Sequence, residues 1–271
     1  MRPLGQFAAN VYAAKRMTDP NAEAVRYPFT GRFLLGRLRE LMSDEEKALL
    51  EGIIERTEWI DKPSRLIARG EKTDHSTMLI DGFMLRTLDD TGRRHAVSFH
   101  VPGDFVDLHA FALKRLDHNI DTVGRVKVGY VSHAALDEVM REHRHLARLF
   151  WFSTLLDAAL HREWITSLEH LTAPRRLAHI FAETWRRLEM VGLGDREGFD
   201  TPLTQIDLAD MCGTTPIHAN RAVRDLRERG IATFERGRVT IADRPALEAY
   251  ADFDPTYLYG SASLDLRDFS T

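Results

Sequence analysis

A chain of 271 residues is longer than one small domain and makes two the natural expectation, each half long enough to bury its own core. With 44% hydrophobic and 29% charged residues it has the make-up of an ordinary globular protein, which excludes the disordered and collagen-like classes. A formal net charge of -4 argues against wrapping nucleic acid indiscriminately, while leaving room for a local basic face. Cys212 is the single cysteine, so no intrachain disulfide is expected. Residues 1–30 lack the basic start and apolar run of a secretory signal, and no apolar stretch is long enough to span a bilayer. A cytoplasmic location, away from membranes, is the expectation.

Residues 1–30 mix small and polar residues with Pro20 and Pro28 and show no strong period. They read as an N-terminal extension outside the core, with Met17 as an alternative start. From residue 33 to 54, Leu34, Leu35, Leu38, Leu41, Leu49, Leu50 and Ile53 recur at helical spacing, and Ser43 before Asp44, Glu45 and Glu46 is a capping signal. Two short helices are predicted there. Between residues 59 and 131 short β-prone runs are separated by Gly70, Asp81-Gly82, Thr91-Gly92, Pro102-Gly103 and Gly124, which predicts a small antiparallel barrel or roll.

After Ser132, a capping residue, the pattern turns helical to about residue 188, with interruptions at His143 and Pro174. Residues 145–171 read as one long helix. Along it Leu149, Phe152, Leu156, Ala159 and Leu160 make an apolar stripe. Packing on its own roll is the plain reading of such a stripe, but its place between the roll and the C-terminal motif favours a dimer seam.

That motif is residues 204–230, TQIDLADMCGTTPIHANRAVRDLRERG. Thr204 with Asp207 three residues on is a capping-box pattern, Leu208 and Met211 give an apolar face, and Gly213 ends the first helix. Thr215 as N-cap and Pro216 at the first position restart the chain. Ala209, Ala219 and Ala222 are small where two helices must approach, as a helix-turn-helix requires. Residues 232–243 follow as a hairpin turning at Arg236-Gly237, a wing. Arg221, Arg224, Arg227 and Arg229 outnumber Asp225 and Glu228 on the second helix. Such a helix presents Arg to guanine and Asn to adenine, while helix ends and a basic wing hold phosphates. The candidate DNA-binding residues are therefore Thr204, Gln205, Thr215, His218, Asn220, Arg221, Arg224, Arg236 and Arg238.

A basic helix alone is more often a solvated face; cap, glycine turn, small packing residues and wing together reverse that. Twelve histidines raise a metal reading, but no Cys-x-x-Cys or His-Glu-x-x-His spacing occurs. One cysteine cannot ligate an iron–sulfur cluster, so no cofactor or metal is expected. Cys212 reads as a small core residue. The rival readings are a cupin-like β-barrel metalloenzyme, for which His95, His100 and His109 are too spread, and an interaction module that does not bind DNA.

Over residues 33–257 the chain resembles the Crp/Fnr superfamily. The helix-turn-helix fits without a gap, TPIHANR looks like the family's T-P-V-H-V-N-R variant, and RGE at residues 69–71, Asp81-Gly82 and VPGDFV at residues 101–106 match roll landmarks. The resemblance implies an α+β chain: an extension at 1–30, a cyclic-nucleotide-binding-like β-roll sensor at 31–143, a long dimerisation helix at 144–171, a winged helix-turn-helix at 172–250 and a tail at 251–271. It implies a non-enzymatic transcription regulator, a homodimer on a near-palindromic duplex, with RNA polymerase as a further partner and the small-molecule effector left open. Arg221 stands at the family's base-reading arginine. Pro216 and Ile217 replace the Arg-Glu pair of many relatives. The Gly-Glu and Arg-Ser pairs that hold cyclic AMP in relatives are missing: Val106, Asp107, Leu108 and His109 follow the GDF landmark, and Arg115 is the arginine nearest the phosphate position. No response to cyclic AMP is expected.

Overall fold

The computed structural model describes residues 19–260. The readings made for residues 1–18, Met17 among them, and for the tail beyond residue 260 lie outside those described. Asp19 caps helix α1 (Pro20–Arg26) by accepting from the Asn21 N–H, with Pro20 at the first position. Residues 19–30 are not outside the core, as the lack of periodicity had implied. Glu23 is buried between Arg39 at 2.8 Å and Lys47 at 3.2 Å, and Thr30 donates its hydroxyl and N–H to Glu51. What is buried here is polar and paired, which an apolar period cannot reveal.

Of the two helices expected between residues 33 and 54 one forms, α2 (Asp44–Gly52), started by a capping box of Ser43 with Glu46. Upstream, Leu34 and Gly36 take positive φ of 53° and 69°, so the chain runs as irregular turns with a single 3-10 turn at Arg39–Leu41. Phe33, Leu34, Leu35 and Leu38 are nevertheless all buried.

The predicted roll is an antiparallel sheet of β1 (Arg56–Ile60), β2 (Arg65–Ile67), β3 (His75–Asp90), β4 (Arg93–His100) and β5 (Asn119–Ser132). Its order is β1-β5-β3-β4, and β2 pairs with β5. Register shifts along β3, between Leu79 and Phe83 and again at Arg86/Thr87, bend a 16-residue strand that pairs on both sides. Its interior holds Ile67, Leu79, Met84, Val106, Leu116, Ile120, Val126 and Val128. Helix α3 (Ala110–Leu113) is a single turn between β4 and β5.

Ser132 accepts from the Ala135 N–H and opens α4 (His133–Glu142). Next come α5 (Arg144–His170), 27 residues long, and α6 (Ala173–Met190), which has Pro174 in its first turn. The C-terminal part follows as β6 (Gly198–Asp200), α7 (Gln205–Met211), α8 (Pro216–Glu228), β7 (Thr233–Glu235), β8 (Arg238–Thr240), α9 (Arg244–Ala251) and a 3-10 turn at Pro255–Leu258. The three strands form a small sheet in the order β6-β8-β7. Among the described residues no helix is long and apolar enough to cross a membrane.

The stripe expected at a dimer seam faces inward. Leu149 and Leu160 are buried in the chain's own cores, Leu156 and Ala159 are buried as well, and Phe152 packs on the core that Phe33, Phe105 and Phe150 share. Among the described residues nothing covers the opposite face of α5: Trp151 is 65% exposed, Leu155 52% and Ile165 64%. A long helix beside a roll must first bury its own strongest stripe, so the residues free for another chain are the second, weaker set.

Nor does each half keep a core to itself. One continuous cluster joins Leu85, Phe99 and Val123 of the sheet with Trp164 of α5, Phe181 and Trp185 of α6, and Leu208, Leu226 and Val239 of the C-terminal part.

Candidate nucleic-acid interface

Helices α7 and α8 meet through a tight turn. Gly213 takes φ of 60°, so the turn favours glycine for its conformation; a Cβ there would meet only the tip of the half-exposed Leu168 side chain on α5. Ala209, Ala219 and Ala222 are buried where the helices approach, with Leu226 behind them. Thr204 and Asp207 complete a capping box on α7, and the Thr215 side chain accepts from the His218 N–H to cap α8.

With its small residues turned inward, α8 presents His218, Asn220, Arg221 and Arg224 outward, and all four are exposed. Thr204, Gln205 and Thr215 are exposed at the two helix starts. The arginines differ in what holds them. Arg224 pairs with Glu228 at 3.2 Å, Arg229 with Asp225 at 2.8 Å and Arg227 with Glu235 at 3.9 Å. Among the described residues Arg221 is the arginine of α8 that no carboxylate engages. It lines one side of an open groove of about 540 Å³, whose far wall is Thr172, Ala173 and Pro174 at the start of α6.

The wing forms as β7 and β8, paired from Thr233 with Thr240 to Glu235 with Arg238. Arg236 sits exposed in the turn between them with φ of 52°. Arg238 does not share that freedom: its guanidinium reaches Asp195 at 2.6 Å and Asp200 at 3.2 Å. The hydrogen bond from Arg238 holds the Asp195 carboxyl below the usual carboxylate range. Among the described residues Arg236 is thus the wing arginine that no carboxylate engages, while Arg238 is held by Asp195 and by Asp200 of β6.

A contact the sequence reading missed comes from the hairpin of β3 and β4. Arg94 extends to α7 and bonds Asp210 through Nε at 2.7 Å and Asp207 through a terminal nitrogen at 2.5 Å, while Arg93 donates to the Thr214 carbonyl in the turn. Asp207 thus serves the capping box with one oxygen and the roll with the other. Adjacent arginines after a Thr91-Gly92 turn, and aspartates three apart on a short helix, were the signals available; only the fold brings them together. Cys212 is buried, and burial pushes its thiol up to about 12, so the thiol stays protonated at neutral pH. Among the described residues no three His, Cys, Asp or Glu side chains converge as a metal site would require.

A bent antiparallel roll, a long helix and a winged helix-turn-helix follow one another along the described chain. Residues 175–250 match the Crp-like helix-turn-helix domain. The chain is 28% identical over 183 residues to the transcriptional activator protein FnrL of Cereibacter sphaeroides, covering 65% of this chain and 72% of that protein. It is 25% identical over 174 residues to the nitrogen fixation regulation protein FixK of Bradyrhizobium diazoefficiens, covering 64% and 72%. Among solved structures, FixK2 from Bradyrhizobium japonicum aligns with a TM-score of 0.66 at 21% identity, over 72% of this chain and 96% of that one. The chain is a DNA-binding transcription regulator with a Crp-like helix-turn-helix domain, similar to the FnrL and FixK proteins. A cupin-like enzyme is not favoured, since these relatives are regulators.

Proposed function

We propose that two copies of the chain pair along α5 and dock their α8 helices, as T-P-x-H-x-N-R variants of the family helix, into successive major grooves of a near-palindromic duplex. The two helices then lie about 34 Å apart, on one side of the DNA. The observation that carries this is the outward face of α8: Arg221 is exposed and has no carboxylate partner, where its three neighbouring arginines are paired. In this reading Arg221 takes a base edge, His218, Asn220 and Arg224 flank it, and Thr204, Gln205, Thr215 and Arg236 hold phosphates. The pairing surface is Trp151, Leu155, Ala158 and Ile165 in place of the inward stripe.

Control by cyclic AMP is not part of this reading. Asp107, in the segment after Gly103-Asp104-Phe105 that lacks a Gly-Glu pair, is buried and accepts from the Thr77 N–H and hydroxyl, and Arg115 bonds the Gly70 carbonyl at 2.7 Å. Calorimetry that found cyclic AMP binding lost on Arg115→Ala would overturn this part.

The experiment for the DNA reading compares two variants on the preferred duplex. Arg221→Ala is expected to cost about 1–3 kcal/mol and to relax one base position per half-site. Arg236→Ala is expected to weaken all sequences alike and to lower the salt slope by about 1. An Arg221→Ala protein with unchanged sequence preference contradicts the assignment.

A further inference from the structure

The second residue of α8 is an isoleucine that no core receives. Ile217 is 67% exposed, whereas Ala219, Ala222 and Leu226 of the same helix are buried and Val223 packs against the shared core. With 3.6 residues per turn, Ile217 stands one turn before Arg221 on the same outward strip, their Cβ atoms about 5–6 Å apart. A single exposed isoleucine on a protein surface is ordinary. This one sits beside the unpaired arginine, at a helix start flanked by His218 and Asn220, where a polar residue would lose no packing.

Its side chain has neither donor nor acceptor, so it cannot pair with the polar edge of a base or with a phosphate. The apolar group that the major groove offers is the 5-methyl of thymine. We propose that Ile217 is a specificity residue that selects thymine by packing on that methyl, next to the base contacted by Arg221. This rests on the DNA reading proposed above and adds to it the identity of one base.

The test starts from the duplex that the full-length protein selects from a random pool. Each thymine is replaced in turn by deoxyuridine, which removes the methyl and nothing else. The wild type is expected to bind about four-fold more weakly when one particular thymine of a half-site is changed, the loss of roughly one buried methyl group. Ile217→Ala, checked for unchanged helix content by circular dichroism, is expected to bind the thymine and uracil duplexes equally, while Arg221→Ala keeps the difference. A wild type indifferent to every such replacement, or an Ile217→Ala protein with the wild-type ratio, overturns the proposal. A pool that yields no preferred duplex overturns the DNA reading itself, and the thymine contact falls with it.

Discussion

His100 is 3% exposed, with Nδ1 3.3 Å from Asp104 and Nε2 3.3 Å from Ser98. Burial, aided by the positive charge of Arg86, pulls its pKa down to about 4 against the pull of Asp104. The unfolded chain, with an ordinary histidine near 6.5, takes up the proton first, so this residue costs stability as pH falls from about 6.5 to about 4. Asp107 acts in the opposite sense. Burial pushes it up to about 6, so its contribution is present below pH 4 and is lost as pH rises through 6. His109 and His118, likewise lowered by burial, act in the same sense as His100, so the wild type loses stability as pH falls and substitution of His100 removes one share of that loss. His100→Gln should gain on the wild type by about 3 kcal/mol between pH 7 and pH 4 in urea unfolding. Parallel pH profiles for the two proteins would contradict the assignment. None of this was legible in the sequence, where His100 was one of twelve scattered histidines.

The long helix α5 has two apolar faces, and its period alone could not say which one belongs to the chain. Leu149, Leu156 and Leu160 were legible as a buried stripe, but it is buried within the chain, Leu149 and Leu160 in cores shared with the roll and α6. Trp151, Ala158 and Ile165, seven residues apart, with Leu155 between, follow the spacing of a helix seam; among the described residues Trp151, Leu155 and Ile165 stay exposed and Ala158 is half-buried. Replacing Trp151 and Leu155 together by Glu should give monomers in sedimentation without unfolding the chain. Leu156→Ala should instead cost about 2–5 kcal/mol in unfolding and leave the oligomer intact. A dimer that survives the first change would contradict the seam. The helix-turn-helix was far more legible, because its signals at Thr204, Gly213, Thr215 and Pro216 are local: a cap, a left-handed turn and a helix restart act within a few residues. The turns at residues 33–38 were not, since Leu34 with positive φ breaks a pattern that periodicity reads as helix.

Across the whole molecule the roll and the DNA-reading part are joined by more than α5. Arg94 grips both aspartates of α7, Arg187 of α6 reaches back to Asp104 at 2.6 Å, and Arg37 donates to the Leu258 carbonyl at 2.8 Å. The guanidinium of Arg187, close by, holds Asp104 well below the usual carboxylate range despite burial. With a continuous apolar cluster beneath these ties, the roll fixes how α8 is presented. Arg94→Gln leaves Asp207 and Asp210 without their cation and should loosen α7 by about 1–3 kcal/mol, the strength of hydrogen bonds to charged groups. Hydrogen exchange should rise over Gln205–Met211 and stay unchanged in β5; equal protection of α7 in both proteins would contradict the clamp.

The central claim, a paired regulator that reads DNA through α8, is tested most directly by selecting duplexes from a random pool with the purified full-length protein. The account predicts a near-palindrome whose half-sites lie about 10–10.5 base pairs apart, one helical turn, with the preference at one base position of each half-site lost on Arg221→Ala. No enriched sequence, or a single half-site without its inverted copy, would contradict it.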